Sequence, residues 1–328
     1  MVEERVLSGL RPTGEVHLGH LLGVLNKWVE LQEKYSCFFM VADLHALTTD
    51  YARPREIGEN IEENVIAWLA AGLDPEKCTI FVQSRVLEHA QLHLLLSMIT
   101  PISWLERNPT YKEQKEELKN KDLSTYGFLG YPILQTADIL LYKATSVPVG
   151  EDQLPHLELG REIVRRFNSL YGQVFVEPQP ILTTTPKLLG SDNRKMSKSY
   201  KNYIALADPP ELIRKKVLQM ITDPARMKRA DPGHPEVCNV YTYQGFFNPE
   251  RVAELTKSCR EAKIGCTDCK RELAEALIGY LKKFQERRKQ LKGDPGIVQN
   301  ILAKGNMVAG EMASATLKEA QKAMGLKL

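Results

Sequence analysis

The first 180 residues alternate short apolar runs of β-forming residues with longer stretches of helical periodicity, and no other feature restricts the fold so strongly. Residues 6–10 (Val6-Leu7-Ser8-Gly9-Leu10), 37–42, 79–82 and 146–149 read as strands, and residues 18–31, 54–71, 88–99, 136–143 and 154–167 read as helices. Strands alternating with helices predict βαβ units and a parallel sheet, an α/β fold whose ligands bind beyond the carboxyl ends of the strands. From Pro209 onward the pattern is almost purely helical, over residues 210–221, 249–263, 270–290 and 311–324. This predicts a separate helical domain.

Charge changes sign near the same boundary. Residues 1–193 hold 18 basic against 26 acidic side chains, net −8, and residues 194–328 hold 26 against 15, net +11, which together give the formal +3. A basic helical half suits a polyanionic partner such as nucleic acid, although solvated helix faces would give the same count. With 43% hydrophobic and 26% charged residues, the composition excludes disordered, collagen-like and coiled-coil chains. No apolar run approaches the roughly 20 residues needed to span a bilayer, and Met1-Val2-Glu3-Glu4-Arg5 does not resemble a signal peptide. The expectation is a cytoplasmic protein.

Two motifs point to phosphate chemistry. After the first strand come Arg11-Pro12-Thr13-Gly14 and then His17-Leu18-Gly19-His20 at a helix start. A strand, a glycine turn and a helix N-terminus present free backbone N–H groups and a favourable dipole to an anion. Gly19 allows close approach of a nucleotide base, and two histidines can donate to a phosphoryl group; a pair that only caps the helix is the alternative. Far downstream, in a Gly-, Ser- and Lys-rich loop over 186–202, stands Lys195-Met196-Ser197-Lys198-Ser199. Two lysines three apart suit an arm that reaches over a triphosphate, against the reading of a solvated basic loop. The polar stretch 111–124, with Lys112, Lys115, Lys119 and Lys121, reads as a mobile lid.

Cys238, Cys259, Cys266 and Cys269 give the spacing C-x20-C-x6-C-x2-C inside the basic helical half. Four thiolates can hold Zn²⁺ or a [4Fe–4S] cluster, and the ligands alone do not decide. There is no second CxxC, as a zinc ribbon would have, while His234 keeps a Cys3His zinc site open. Cys37 and Cys78 fall in or beside predicted strands and read as core residues.

The His17–His20 and Lys195–Ser199 motifs resemble the HIGH and KMSKS signatures of class I aminoacyl-tRNA synthetases, with Leu18 in place of the usual Ile. Ala137-Asp138-Ile139-Leu140-Leu141-Tyr142, followed by residues 147–153 (Val-Pro-Val-Gly-Glu-Asp-Gln) with His156 and Glu158 beyond, narrows the resemblance to the tryptophanyl-tRNA synthetases. The opening residues 8–14, the strand end at Asp43-Leu44-His45-Ala46 and the closing Ala323-Met324-Gly325-Leu326 extend it over almost the whole chain. The resemblance implies a Rossmann-like catalytic domain over 1–188, a KMSKS loop over 189–204, a helical anticodon-recognition domain with the four cysteines over 205–305, and a C-terminal helix over 306–328.

It also implies tryptophan activation by ATP with Mg²⁺, giving tryptophanyl adenylate and pyrophosphate, and then transfer to tRNA(Trp). His17, His20, Lys195 and Lys198 would stabilise the developing charge. Asp138 resembles the carboxylate that accepts the indole N–H, with helix capping as its alternative; Gln153 would face the amino acid's polar end, and His45 would line the tryptophan pocket, with a core histidine at a strand end as its alternative. Arg11, where the family often has Gln, Pro12, Thr13, Gly19, Gly150, Glu151, Asp152, Leu188, Met196, Ser197 and Ser199 would contact ATP, and Lys112 would reach the triphosphate from the lid. A subset of the bacterial enzymes carries a [4Fe–4S] cluster near the anticodon region, and the family forms homodimers. Tryptophan is the largest side chain, so smaller competitors bury less area and an editing domain is unnecessary. A tyrosine-specific relative, a nucleotidyltransferase and a metal-bearing tRNA-binding protein without ligase activity are the other readings.

Overall fold

The computed structural model describes residues 4–117, 121–182, 188–194, 196 and 200–326. The chain divides into two compact units, one comprising residues 1–14, 27–185 and 294–328 and the other residues 15–26 and 186–293. No helix among the described residues is long and apolar enough to cross a membrane.

The first unit is built on five parallel strands, β1 (Arg5–Leu10), β2 (Ser36–Val41), β3 (Cys78–Val82), β4 (Ser146–Val149) and β5 (Gln179–Leu182), in the order β3-β2-β1-β4-β5. Leu7 lies opposite Phe38, Phe38 opposite Thr79, Val6 opposite Ser146, and Ser146 opposite Gln179. Strand order reverses between β1 and β4, which opens a crevice at their carboxyl ends. β2 is buried on both faces. Phe38 and Met40 enter a core with Leu7, Phe81 and residues of the helices Glu88–Ser97, Tyr126–Leu141, Leu154–Tyr171 and Ile297–Ala323. Phe39, one residue out of phase, stacks on Trp28 at 4.5 Å between ring centroids, and Trp68 meets Trp28 edge-on.

The Ile297–Ala323 helix is longer than the predicted 311–324, and it belongs to the first unit although it follows the helical half in sequence. Its contact face is made of small residues, Gly305, Ala309, Ala313 and Ala320. A Cβ on Gly305 would lie 1.8 Å from the Ile80 carbonyl oxygen. Asn306 accepts a hydrogen bond from the Val82 backbone N–H at 2.9 Å, so the helix covers the edge of β3.

Other boundaries shift for identifiable reasons. The predicted 136–143 helix is the end of Tyr126–Leu141, which contains Pro132, and Asp43 opens a helix (Asp43–Asp50) where a strand end was expected. The 18–31 helix is interrupted by a π-type segment at Leu21–Leu25. The expected lid over 111–124 is helical through Glu117, with residues 118–120 outside the described set.

In the second unit, the helices Pro210–Leu218 and Asn239–Phe247 pack against Cys266–Lys292. Ile213, Val217, Tyr243, Leu273, Leu277 and Leu281 are buried. Residues 16–18 pair with 204–206, through an antiparallel bridge between His17 and Ala205 and bonds from Leu18 N–H to the Ile204 carbonyl and from Leu206 N–H to the Val16 carbonyl.

Candidate active site

Asp138 sits inside the Tyr126–Leu141 helix, near its carboxyl end, with 2% of its surface exposed. It therefore neither starts nor caps a helix, and the capping alternative is removed. Its carboxylate gathers donors from three elements. His89 Nδ1 lies 2.6 Å from Oδ1, Gln83 Nε2 lies 2.8 Å from Oδ1 and 3.0 Å from Oδ2, and His45 Nε2 lies 2.8 Å from Oδ2. Burial pushes the carboxyl pKa up, but His89 and His45 more than offset this and hold it well below the usual carboxylate range. A carboxylate has about four acceptor positions, and these three side chains engage both oxygens, with the Gln83 nitrogen shared between them. Of the donors, Gln83 and His89 are fully buried, and His45 keeps a solvent-accessible edge.

Beside it, at the carboxyl end of β1, Arg11 is exposed and reaches Thr49 Oγ1 at 3.5 Å. Thr49 in turn donates to Asp50, which is also held by Lys121 at 2.6 Å. Pro12 is buried, and a turn brings the Thr13 N–H to the Arg11 carbonyl. After β4, Gly150 leads into a single helical turn, Glu151–Gln153. A Cβ on Gly150 would stand 2.8 Å from Asp152 Oδ1, the tip of an exposed side chain that can turn aside, so the backbone here does not itself demand glycine. Glu151 and Asp152 are exposed, and the Gln153 side chain donates to Asp152 at 3.1 Å. Tyr131 and His156 pair at 2.5 Å, and burial drops the His156 pKa to about 4.

The second unit holds the His17–His20 motif. His17 caps the helix start by accepting the Gly19 N–H on Nδ1 at 3.2 Å, and His20 Nδ1 accepts the His17 N–H at 3.3 Å. The two rings stack at 3.8 Å. Because both Nδ1 atoms accept, the neutral rings carry their protons on Nε2, where they can donate. Gly19 lies against the His17 ring and Met196; a Cβ there would stand 3.0 Å from His17 Cε1 and 3.4 Å from Met196 Sδ. Residues far apart in sequence, one from each phosphate motif, thus meet in one unit. Lys195, Ser197, Lys198 and Ser199 lie outside the described residues. The chain flanking them is braced: Arg194 covers the Tyr200 ring at 4.2 Å and pairs with Asp192, which accepts from Asn202 at 2.7 Å. Leu188 is buried, and Lys112 is exposed on its helix.

A family model for class I tRNA synthetases (W and Y) matches residues 2–282. The tryptophan–tRNA ligase of Thermotoga maritima is 51% identical over 325 residues, covering 98% of this chain and 99% of the relative. That of Aquifex aeolicus is 42% identical over 393 aligned positions, covering 98% and 100%. The crystal structure of Campylobacter jejuni tryptophanyl-tRNA synthetase complexed with ADP and tryptophan superposes with a TM-score of 0.86 at 31% identity, covering 98% of this chain and 100% of that one. The chain belongs to the class I tryptophan–tRNA ligases.

In this ligase the residues that sequence reasoning missed are Gln83 and His89. Gln83 is followed by Ser84 and Arg85, and His89 stands between Glu88 and Gln91, so neither stands out from its polar neighbours or forms a motif; their burial is the signal, and it is visible only in three dimensions.

The four cysteines of the ligase converge around short elements of the second unit. Cys238 precedes the Asn239–Phe247 helix, Cys259 lies near the end of Val252–Arg260, and Cys266 and Cys269 share a face of the first turn of Cys266–Lys292. Arg226 Nη1 stands 3.9 Å from both Cys259 Sγ and Cys266 Sγ, and Gln244 Nε2 stands 3.6 Å from Cys269 Sγ. A Cβ on Gly233 would fall 2.4 Å from Cys259 Sγ, so the chain leaves room for that sulfur. Burial raises the thiol pKa values of Cys238, Cys259 and Cys269, the last to about 11, and the neighbouring sulfurs add to the rise. Among the described residues, no three or more His, Cys, Asp or Glu side chains stand in metal-ligating geometry. His234 Nδ1 is taken by Asp223 at 2.9 Å. The donor set and its N–H···S partners fit a thiolate-bound centre in chemistry, while the sulfurs are not drawn into a closed ligand set.

Proposed function

We propose that the protein activates L-tryptophan with ATP and Mg²⁺ to tryptophanyl adenylate and pyrophosphate, and then transfers the acyl group to tRNA(Trp). The observation that carries this reading is Asp138, a buried carboxylate held as an anion with a donor on its solvent side that a ligand can replace. The indole N–H takes the Oδ2 edge now met by His45, and a site built to receive an N–H discriminates strongly against side chains without a donor. Gln153 faces the amino-acid polar end. The tryptophan carboxylate attacks the α-phosphorus in line as pyrophosphate leaves. His17 and His20 donate from Nε2 to the phosphoryl oxygens, and Lys195 and Lys198 balance the charge on pyrophosphate. Gly19, Gly150, Glu151, Asp152, Leu188 and Met196, with Ser197 and Ser199, bind the nucleotide, and Arg11, Pro12 and Thr13 complete that set. Lys112 adds a cation for the triphosphate.

The catalytic domain lies within residues 1–188, the signature loop within 189–204 and the part that reads the anticodon within the expected 205–305, and the closing helix, expected over 306–328, begins at Ile297. Cys238, Cys259, Cys266 and Cys269 would hold a [4Fe–4S] cluster, or Zn²⁺ in its place. When bound, such a centre supplies a cross-link that fixes the surrounding chain, and Arg260, Lys263, Lys270 and Arg271 lie close to these cysteines in sequence. A homodimer fits the exposed apolar face formed by Leu87, Leu94, Met98 and Ile102 along one side of the Glu88–Ser97 helix and its exit, with Tyr126 beside His93. The six free cysteines suit the cytoplasm.

ATP–pyrophosphate exchange, run with each of the twenty amino acids in Mg²⁺ and without tRNA, tests the reading. Exchange driven by tryptophan alone is expected. Exchange with tyrosine would keep the chemistry and overturn the specificity, and silence with all twenty would leave a tRNA-binding protein.

A further inference from the structure

Behind Asp138 lies a second tier of buried polar groups that the chemistry above does not use. His89 turns Nδ1 to Asp138 at 2.6 Å and Nε2 to the Tyr142 hydroxyl at 2.8 Å. Both residues are wholly buried, and Phe81 packs on the two rings. Burial, together with the charge of Asp138, pushes the Tyr142 hydroxyl pKa well above its usual value, so the group keeps its proton. Nδ1 faces the anion and carries hydrogen, and Nε2 meets the Tyr142 hydroxyl as acceptor in the neutral ring and as donor in the imidazolium. In either form the Tyr142–His89–Asp138 chain keeps an N–H on the carboxylate. Gln83 fixes the other side: its amide nitrogen donates across both Asp138 oxygens, at 2.8 and 3.0 Å, and its carbonyl oxygen accepts the His45 backbone N–H at 3.2 Å.

We propose that His89, backed by Tyr142 and assisted by Gln83, is a positioning residue for tryptophan recognition: it saturates Oδ1 and turns the Oδ2 edge toward the ligand's N–H. The inference rests on the assignment of Asp138 to the indole. A carboxylate free to rotate would offer either oxygen at a poorer angle, and a charge-assisted hydrogen bond weakens steeply with misalignment. His89 touches neither substrate nor ATP in this scheme. Its effect is therefore confined to substrates that carry the N–H.

The test compares kcat/KM in pyrophosphate exchange for L-tryptophan and for its analogue with benzothiophene in place of indole, which keeps the shape and lacks the N–H. The unmodified enzyme should favour tryptophan by about 10- to 100-fold, the range for a hydrogen bond to a charged acceptor. In His89→Leu that preference should fall to within about threefold of unity while the analogue's kcat/KM stays within about threefold of its starting value. His89→Asn, which restores a donor near the Nδ1 position, should recover most of the preference. Tyr142→Phe, which keeps the packing should His89→Leu fold poorly, should lose part of it. Equal losses for both substrates in the His89 and Tyr142 variants would reduce this tier to a structural role. An unmodified enzyme without preference would instead overturn the assignment of Asp138 itself.

Discussion

Two polar clusters in this chain, one buried and one half-buried, are built on opposite principles. Asp138 is an anion whose two oxygens both meet protein donors, so its charge is stable before any ligand arrives. The cysteines of the second unit are the reverse. Burial and the neighbouring sulfurs raise the thiol pKa values of Cys238, Cys259 and Cys269, and the nearby Arg226 and Gln244 contacts are long. The first cluster selects by making a newcomer compete with an existing donor. In the second the thiols keep their protons, and removing one beside the other sulfurs costs free energy unless a positive charge offsets it. A site that is already satisfied makes its ligand compete for a place, whereas protonated thiols take up a metal only by giving those protons up.

The comparison breaks first at Asp138. Asp138→Asn keeps the shape, removes the charge and leaves His89 and His45 facing an amide; kcat/KM for tryptophan in pyrophosphate exchange should fall by about 100-fold or more, with little change in KM for ATP. A loss below about threefold would mean that the anion does not select the substrate. The cysteine cluster should respond in another assay. Cys266→Ser should lose any bound iron or zinc, measured by elemental analysis, and should weaken tRNA(Trp) binding by about tenfold, while tryptophan-dependent exchange without tRNA stays near its starting value. Metal loss with unchanged tRNA affinity would remove the supporting role.

The smallest effect concerns stability. The folded pKa of His156 is depressed to about 4 from 6.5, so between those values the unfolded chain binds the extra proton. Stability contributed above pH 6.5 is therefore lost as pH falls toward 4, with a slope from this residue of at most about 1.4 kcal/mol per pH unit. Denaturant unfolding of His156→Gln at pH 7 and pH 5 should show a smaller decline than the parent protein; an equal decline would place the titration elsewhere.

The contrast between the clusters also marks what could be read from sequence. Pattern that repeats along the chain was legible: the helix at 54–71 matches its predicted bounds because it is amphipathic over five turns, and the strand at 146–149 matches because two valines stand between breaks despite Pro148. Asn239–Phe247 was missed, because its aromatic and polar residues carry little apolar periodicity, and β5 was missed because Gln179-Pro180-Ile181-Leu182 has one β-branched residue and a proline at the sheet edge. The same limit applies to the candidate site. Asp138 and His45 were named from motifs, whereas Gln83 and His89 reach the same carboxylate from 55 and 49 residues away. The last helix illustrates it again, since it joins the first unit through contacts distant in sequence, the close approach of Gly305 to Ile80, the Asn306–Val82 hydrogen bond and the alanines in the core.

A crystal structure of the protein with L-tryptophan, without ATP, tests the central claim most directly. The indole nitrogen should lie within hydrogen-bond distance of Asp138 Oδ2, with His45 withdrawn from that oxygen and His89 and Gln83 still in place. An indole bound elsewhere, with the His45–Asp138 contact intact, would contradict it.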